Sequence, residues 1–165
     1  MIRTRIIILL IGILLISCQA VSVTSTPEIT LLPATATPDI VSLTRTAIED
    51  VVGKQRVQVN WVSINGDTIF AVNYLTDLDP NNDPEAFFEE FNQTTLIAST
   101  FFSQADMQAE ALIVMAEDQN SPTTQENPPL YEVVVDKNLI ASWVGGKISE
   151  NVFINSWFVV PLPDQ

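Results

Sequence analysis

The chain has no histidine, and that single absence removes more chemistry than any other feature of its composition. Without it there is no commonest general base, no Ser–His or Cys–His couple, and no commonest metal ligand. Cysteine occurs once, at Cys18, so no intrachain disulfide can form and stability must come from a packed core. Five glycines provide neither a phosphate-cradling loop nor a dinucleotide fingerprint. Basic residues are scarce: seven Lys and Arg face twenty Asp and Glu, for a formal charge of −13. That balance argues against nucleic acid, whose affinity rests on cations neutralising phosphates, and against a polybasic contact with anionic headgroups. No long apolar run is present either. The longest, from Ile6 to Ile16 and interrupted only by Gly12, makes a helix of about 17 Å, against the roughly 30 Å of a hydrocarbon core.

What is there begins with the first eighteen residues. Arg3 and Arg5 precede the short apolar stretch, which closes on Leu15-Ile16-Ser17-Cys18. A charged start, a short apolar middle and small residues at the end are the layout of a secretory signal peptide. The tetrapeptide resembles the lipobox of bacterial lipoproteins, with an aliphatic residue three before the cysteine and a small one just before it. The resemblance covers residues 1–18 alone. It implies that Leu15, Ile16 and Ser17 are read by the signal peptidase and that the leader is cut before Cys18. It also implies that the Cys18 sulfur carries diacylglycerol, placing the protein on the extracytoplasmic face of a bacterial membrane. Two or three acyl chains on one residue give a stable anchor where one binds marginally, at about 0.8 kcal/mol per buried methylene. Processing removes Arg3 and Arg5, leaving five basic residues against twenty acidic ones, a formal charge of −15.

From this follows a division of the chain: leader 1–17, lipidated cysteine and stalk 18–37, one domain 38–161, and a tail 162–165. The stalk expectation rests on seven Ser and Thr, Pro27, Pro33 and a single charge, Glu28, between Ala20 and Thr37. Such a segment buries too little apolar surface to offset the entropy of ordering and should stay extended.

Within the domain, Thr37-Pro38 and Asp39 mark a helix start. Ile40, Thr44, Ala47, Ile48 and Val51 recur at helical spacing, and Gly53 sits where a C-terminal cap belongs. Asn65-Gly66 is the preferred pair for a type I′ hairpin turn, which places Trp61 opposite Phe70, Val59 opposite Val72 and Val57 opposite Tyr74 on one face. The other face then carries Gln58, Asn60 and Asn73 alongside Val62, Ile69 and Ala71. Asp83-Pro84 opens a second helix running to about Gln104 with a stripe of Phe87, Phe91, Ala98, Phe101 and Phe102. Strands follow at 109–116 and 130–136 around a polar 117–129 loop. Residues 139–144 read as a return strand through Lys137-Asn138, and 152–160 as a final strand, with Ser149 as the cap of a short helix the alternative.

The pattern predicts an α+β fold, an antiparallel sheet with two helices packed against it. It is similar in element order to profilin-like or roadblock domains; a cystatin-like sheet curled around a helix is the alternative.

For chemistry, the densest acidic stretch runs from Asp77 to Glu85. Asp77, Asp79, Asn81 and Asp83 place oxygen ligands at alternate positions, as a calcium loop begins, but Asn82 stands where glycine is needed and Phe88 where the bidentate Glu should be. The residues expected there act instead as turn and helix caps. Two surface-helix glutamates are weak material for a glycosidase. The sequence therefore leads to no cofactor and no catalysis, but to a lipid-anchored protein whose domain binds a protein partner. The alternatives are a small ligand or glycan, motivated by Trp143, Trp157 and the Phe stripe, and a divalent cation on the 77–85 acids.

Overall fold

A computed structural model describes residues 29–31, 38–54, 56–105, 109–121, 123–124 and 128–161. Its organising piece is the hairpin of β2 (Val57–Ile64) and β3 (Asp67–Thr76). Asn65 and Gly66 adopt φ of 55° and 94°, the positive values that the tight turn requires. The register pairs Trp61 with Phe70, Val59 with Val72 and Val57 with Tyr74, as the sequence predicts. All six side chains are buried, and the Trp61 and Phe70 rings lie 4.4 Å apart. Full burial of each such side chain stabilises the fold by roughly 1.5–3 kcal/mol, which is why one face of the hairpin must be covered.

Two helices cover it. α1 (Pro38–Val52) buries Ile48 and Val52 and ends at Gly53, whose φ of 96° and N–H bond to the Glu49 carbonyl make the cap. The expected cap residue at the other end, Thr37, lies outside the described residues. α2 (Pro84–Gln104) starts where expected: the Asp83 carboxylate accepts from the Ala86 N–H and Pro84 opens the helix. It buries Phe87, Phe91, Ala98 and Phe102 against the sheet.

α2 also sets the topology. It carries the chain from the end of β3 back to the start of β4 (Ala109–Asp118), which therefore runs parallel to β3, with an irregularity between Thr68 and Ile69. A parallel pair needs such a crossover, and a 21-residue helix supplies it. β5 (Tyr131–Asp136) pairs antiparallel with β4. The α+β class is as expected, with one parallel pair in a sheet ordered β1-β2-β3-β4-β5-β6. β1 (Ile29–Leu31) pairs antiparallel with residues 62–64 of β2, so three residues of the anticipated stalk belong to the sheet.

The carboxy-terminal third departs most from expectation. Residues 139–144 are not a return strand; they lie in α3 (Lys137–Val144). The Asp136 carboxylate accepts from the Asn138 N–H at 2.7 Å and from Leu139, so Lys137-Asn138 is a capped first turn instead of a hairpin. Leu139, Ile140 and Trp143 follow helical spacing, and Ile140 is buried. Residues 152–160 are likewise not one strand. Ser149 caps α4 (Glu150–Ile154), Phe153 is fully buried, and only β6 (Phe158–Val159) pairs with Val133 and Val134 of β5. The helices contribute to one continuous core on one side of the sheet.

Candidate functional site

The residues that sequence reasoning singled out divide into two groups. Leu15, Ile16, Ser17 and Cys18 lie outside the described residues. The acids of the 77–85 stretch are described; Asp77, Asp79 and Asp83 each have a local partner, and Glu85 lies in the first turn of α2. Asp77 Oδ1 accepts from Arg56 Nη1 at 2.7 Å, and this hydrogen bond holds its carboxyl below the usual carboxylate range. Asp79 accepts from the Asn81 N–H at 2.8 Å through one oxygen and from the Asn82 amide through the other. Asp83 caps α2. These carboxylates shape a turn and a helix start, and Asn81 joins them through its backbone. Among the described residues no group of three or more His, Cys, Asp or Glu converges on one point, and no helix is long and apolar enough to cross a membrane.

The larger feature is the second face of the sheet. Because strand side chains alternate, burying Val59, Val72, Val114 and Val133 under the helices sends their neighbours to the opposite side. Gln58, Asn60, Val62 and Ile64 stand there on β2. Ile69, Ala71, Asn73 and Leu75 follow on β3, then Ala111, Ile113, Met115 and Glu117 on β4; Val62 and Ile69 are buried, while Ile113 and Met115 are half-buried. Glu132 and Val134 continue the row on β5, and Phe158, paired with Val134 and 63% exposed, closes it on β6. Among the described residues no helix packs on this face. A shallow depression of about 420 Å³ crosses it, lined on its floor by Ala71, Asn73, Ile113, Met115 and Glu132.

The electrostatics of this face are one-sided. Glu117 sits at one end, accepting from Asn73 Nδ2 at 3.1 Å and from the Thr123 N–H at 3.2 Å. Glu132 stands opposite Met115, and burial pushes its carboxyl above the usual carboxylate range. The described cations are all elsewhere. Arg45 is on α1 and Lys54 follows it; Arg56 binds Asp77; Lys137 pairs with Glu110; Lys147 follows α3. None occupies an open-face strand position. Asn73 Oδ1 is buried with no hydrogen-bond partner among the described residues.

Two further concavities lie on the helical side, one smaller than the open-face depression and one larger. A cleft of about 300 Å³ brings Phe88, Tyr131 and Trp157 together with the amides of Asn92 and Asn155. Phe88 and Tyr131 meet edge to face at 5.2 Å. A groove of about 520 Å³ runs between the end of α2 and α3, past Phe102, Ala109 and Ile140. The tryptophans are mostly committed to packing: Trp61 is buried, and Trp143 stacks on Phe153 with ring centroids 4.5 Å apart.

Sequence reasoning recognised the open face only for the hairpin, where the turn sets the register. It placed strands at 109–116 and 130–136 but did not assign their faces, so Ile113, Met115 and Glu132 went unnoticed. The signal was the alternation in Glu132-Val133-Val134-Val135, which puts a carboxylate and a buried valine on opposite sides. Compared with known proteins, the chain matches no family model, no curated protein and no solved structure.

Proposed function

We propose that this chain is a bacterial lipoprotein, anchored through Cys18 on the extracytoplasmic face of a membrane, whose non-enzymatic domain docks a protein partner on the open face of its sheet. The observation that carries the reading is a face across β2 to β6 that no helix among the described residues covers, half apolar and ending in an exposed phenylalanine. Exposed apolar patches of this kind on a small domain mark interaction surfaces. The anchor reading rests on the lipobox resemblance. The position of β1 is compatible with it: Ile29 pairs with Ile64, so the chain enters the sheet beside the Asn65-Gly66 turn. The absence of histidine and of any free thiol besides Cys18 supports binding over catalysis.

A small-ligand or glycan reading ranks second, on the cleft of Phe88, Tyr131 and Trp157, since aromatic faces flanked by amides suit sugar rings. Quenching of Trp157 fluorescence by a soluble glycan fragment would reverse that order. The divalent-cation reading draws no support from acids already engaged in a turn and a cap.

Two substitutions test the main reading in cells. Cys18→Ala should abolish labelling by a fatty-acid probe and leave the precursor uncleaved; normal processing would mean that a different peptidase cuts the leader. A photo-crosslinker replacing Ile113 should give a discrete adduct in native envelopes, whereas one replacing Leu43 on α1 should not. Adducts from Leu43 alone, or from neither position, would sink the docking reading.

A further inference from the structure

We infer that the surface docked on the open face is cationic: a protein segment whose apolar side chains fill the depression between β2 and β5 while Lys or Arg side chains meet Glu132 and the Glu117 end. This rests on the partner-docking reading and specifies the partner's chemistry.

The argument begins with charge. The open-face strand positions of β2 to β5 carry four carboxylates, Asp67, Glu117, Glu132 and Asp136, the last engaged as the cap of α3, and no lysine or arginine. Glu132 lies within the depression beside Met115, and the ion pairs among the described residues, Arg56 with Asp77 and Lys137 with Glu110, do not include it. A carboxylate half-removed from water without a cation is destabilising unless something else neutralises it. An incoming guanidinium or ammonium does so, and the exposed side-chain oxygen of Asn60 on the same face supplies a further acceptor for its N–H groups.

The same charges disfavour the other occupants. A second copy would bring Glu132 and Glu117 against their like in a chain of net charge −13. An anionic lipid surface is repelled for the same reason. The chain's own residues 19–28 contain one acid and no base, so they offer nothing to the carboxylates. A cationic partner alone is complementary. Phe158, at the β6 edge, supplies the exposed aromatic that interfaces commonly use as an anchor, and Met115 gives the floor an adaptable side chain. Four inter-strand gaps of about 4.8 Å make the face roughly 19 Å wide, nearer the small end of the interface range than the obligate one. The contact should therefore be reversible and sensitive to salt.

The test uses two synthetic amphipathic peptides of equal length, one alternating Leu with Lys and one Leu with Glu. They are titrated into the mature chain while the methyl signals of Ile113, Met115 and Val134 are followed by NMR. The Leu/Lys peptide should shift these methyls and the Leu/Glu peptide should not. Glu132→Lys should weaken the response about tenfold, and Glu132→Gln, which keeps shape and removes charge, by an intermediate factor. An equal response to both peptides, or shifts confined to the helical side, overturns the inference. So do methyl shifts that depend on protein concentration without peptide, which indicate a second copy, and shifts produced by phosphatidylglycerol vesicles, which indicate lipid. The envelope cross-link from Ile113 separates the two levels. An adduct with a partner whose facing surface is acidic leaves docking standing and removes the cationic assignment, whereas no adduct removes both.

Discussion

Glu132 shows at the scale of one residue how binding and stability pull apart. Burial on the sheet raises its carboxyl above the ordinary value, so the folded state holds a proton more tightly than the unfolded chain does. The sign follows from linkage. Below the unfolded value of about 4.3 both states are protonated and the group is neutral in effect; as pH rises through the folded value, stability is lost and stays lost at neutral pH. Glu132→Gln should therefore melt higher than the parent at pH 7 and converge with it near pH 3, as scanning calorimetry would show. A variant less stable than the parent at neutral pH would mean that the carboxylate makes a favourable contact in the fold. Asp77 is the opposite case: exposed and held low by its Arg56 hydrogen bond, it ionises readily and marks only a turn. Tyr74 is raised by burial and stays protonated throughout, a core ring whose hydroxyl lacks a partner among the described residues.

At the scale of elements, local chemistry decides where each begins, and tertiary pairing decides what some of them become. The hairpin is the clearest local case, because Gly66 at φ 94° is a conformation that L side chains resist. Its would-be Cβ meets nothing within 4 Å, so Gly66→Ala isolates backbone strain from crowding. The substitution should cost about 1–2 kcal/mol in urea denaturation with the register unchanged. A neutral result would show that the turn relaxes to another type. The carboxy-terminal helices are the instructive failure. Lys137-Asn138 between two apolar runs resembles a hairpin turn, and Val152 to Val160 is rich in strand formers. Asp136 and Ser149 decide otherwise, since each side-chain oxygen accepts from the orphan N–H groups of a first helical turn. Leu139, Ile140 and Trp143 carried the helical spacing all along; it was masked by the shortness of the segment.

Across the whole molecule the dominant property is unbalanced charge. Twenty acids against seven bases repel one another in the compact state, and only two ion pairs are formed among the described residues. Salt should therefore stabilise the fold. Raising NaCl from about 10 mM to about 1 M shortens the screening length from roughly 30 Å to roughly 3 Å. The melting temperature should rise by about 2–8 °C, the shift that a gain near 1 kcal/mol produces in a domain of this size. A fall would place the relevant acids in attractive pairs. The same imbalance underlies the proposed docking surface, where a one-sided sheet leaves Glu132 on its outer face with no ion pair among the described residues.

What the amino-acid sequence determined by itself was whatever rests on contacts between near neighbours. The Asn65-Gly66 turn and the register it imposes, the capped start of α2 and the apolar stripes of the two long helices are all legible there. The α+β class follows from their order. What only the tertiary structure decided was non-local. The parallel pairing of β3 with β4, the capture of residues 29–31 as an edge strand, and above all which sheet face the helices leave open depend on where distant segments meet. The alternation of Glu132 and Val133 says that they face opposite ways. It takes the packing of α1 and α2 over Val59, Val72, Val114 and Val133 to say which of the two faces outward, because a strand's pattern is symmetric until something is laid against one side of it.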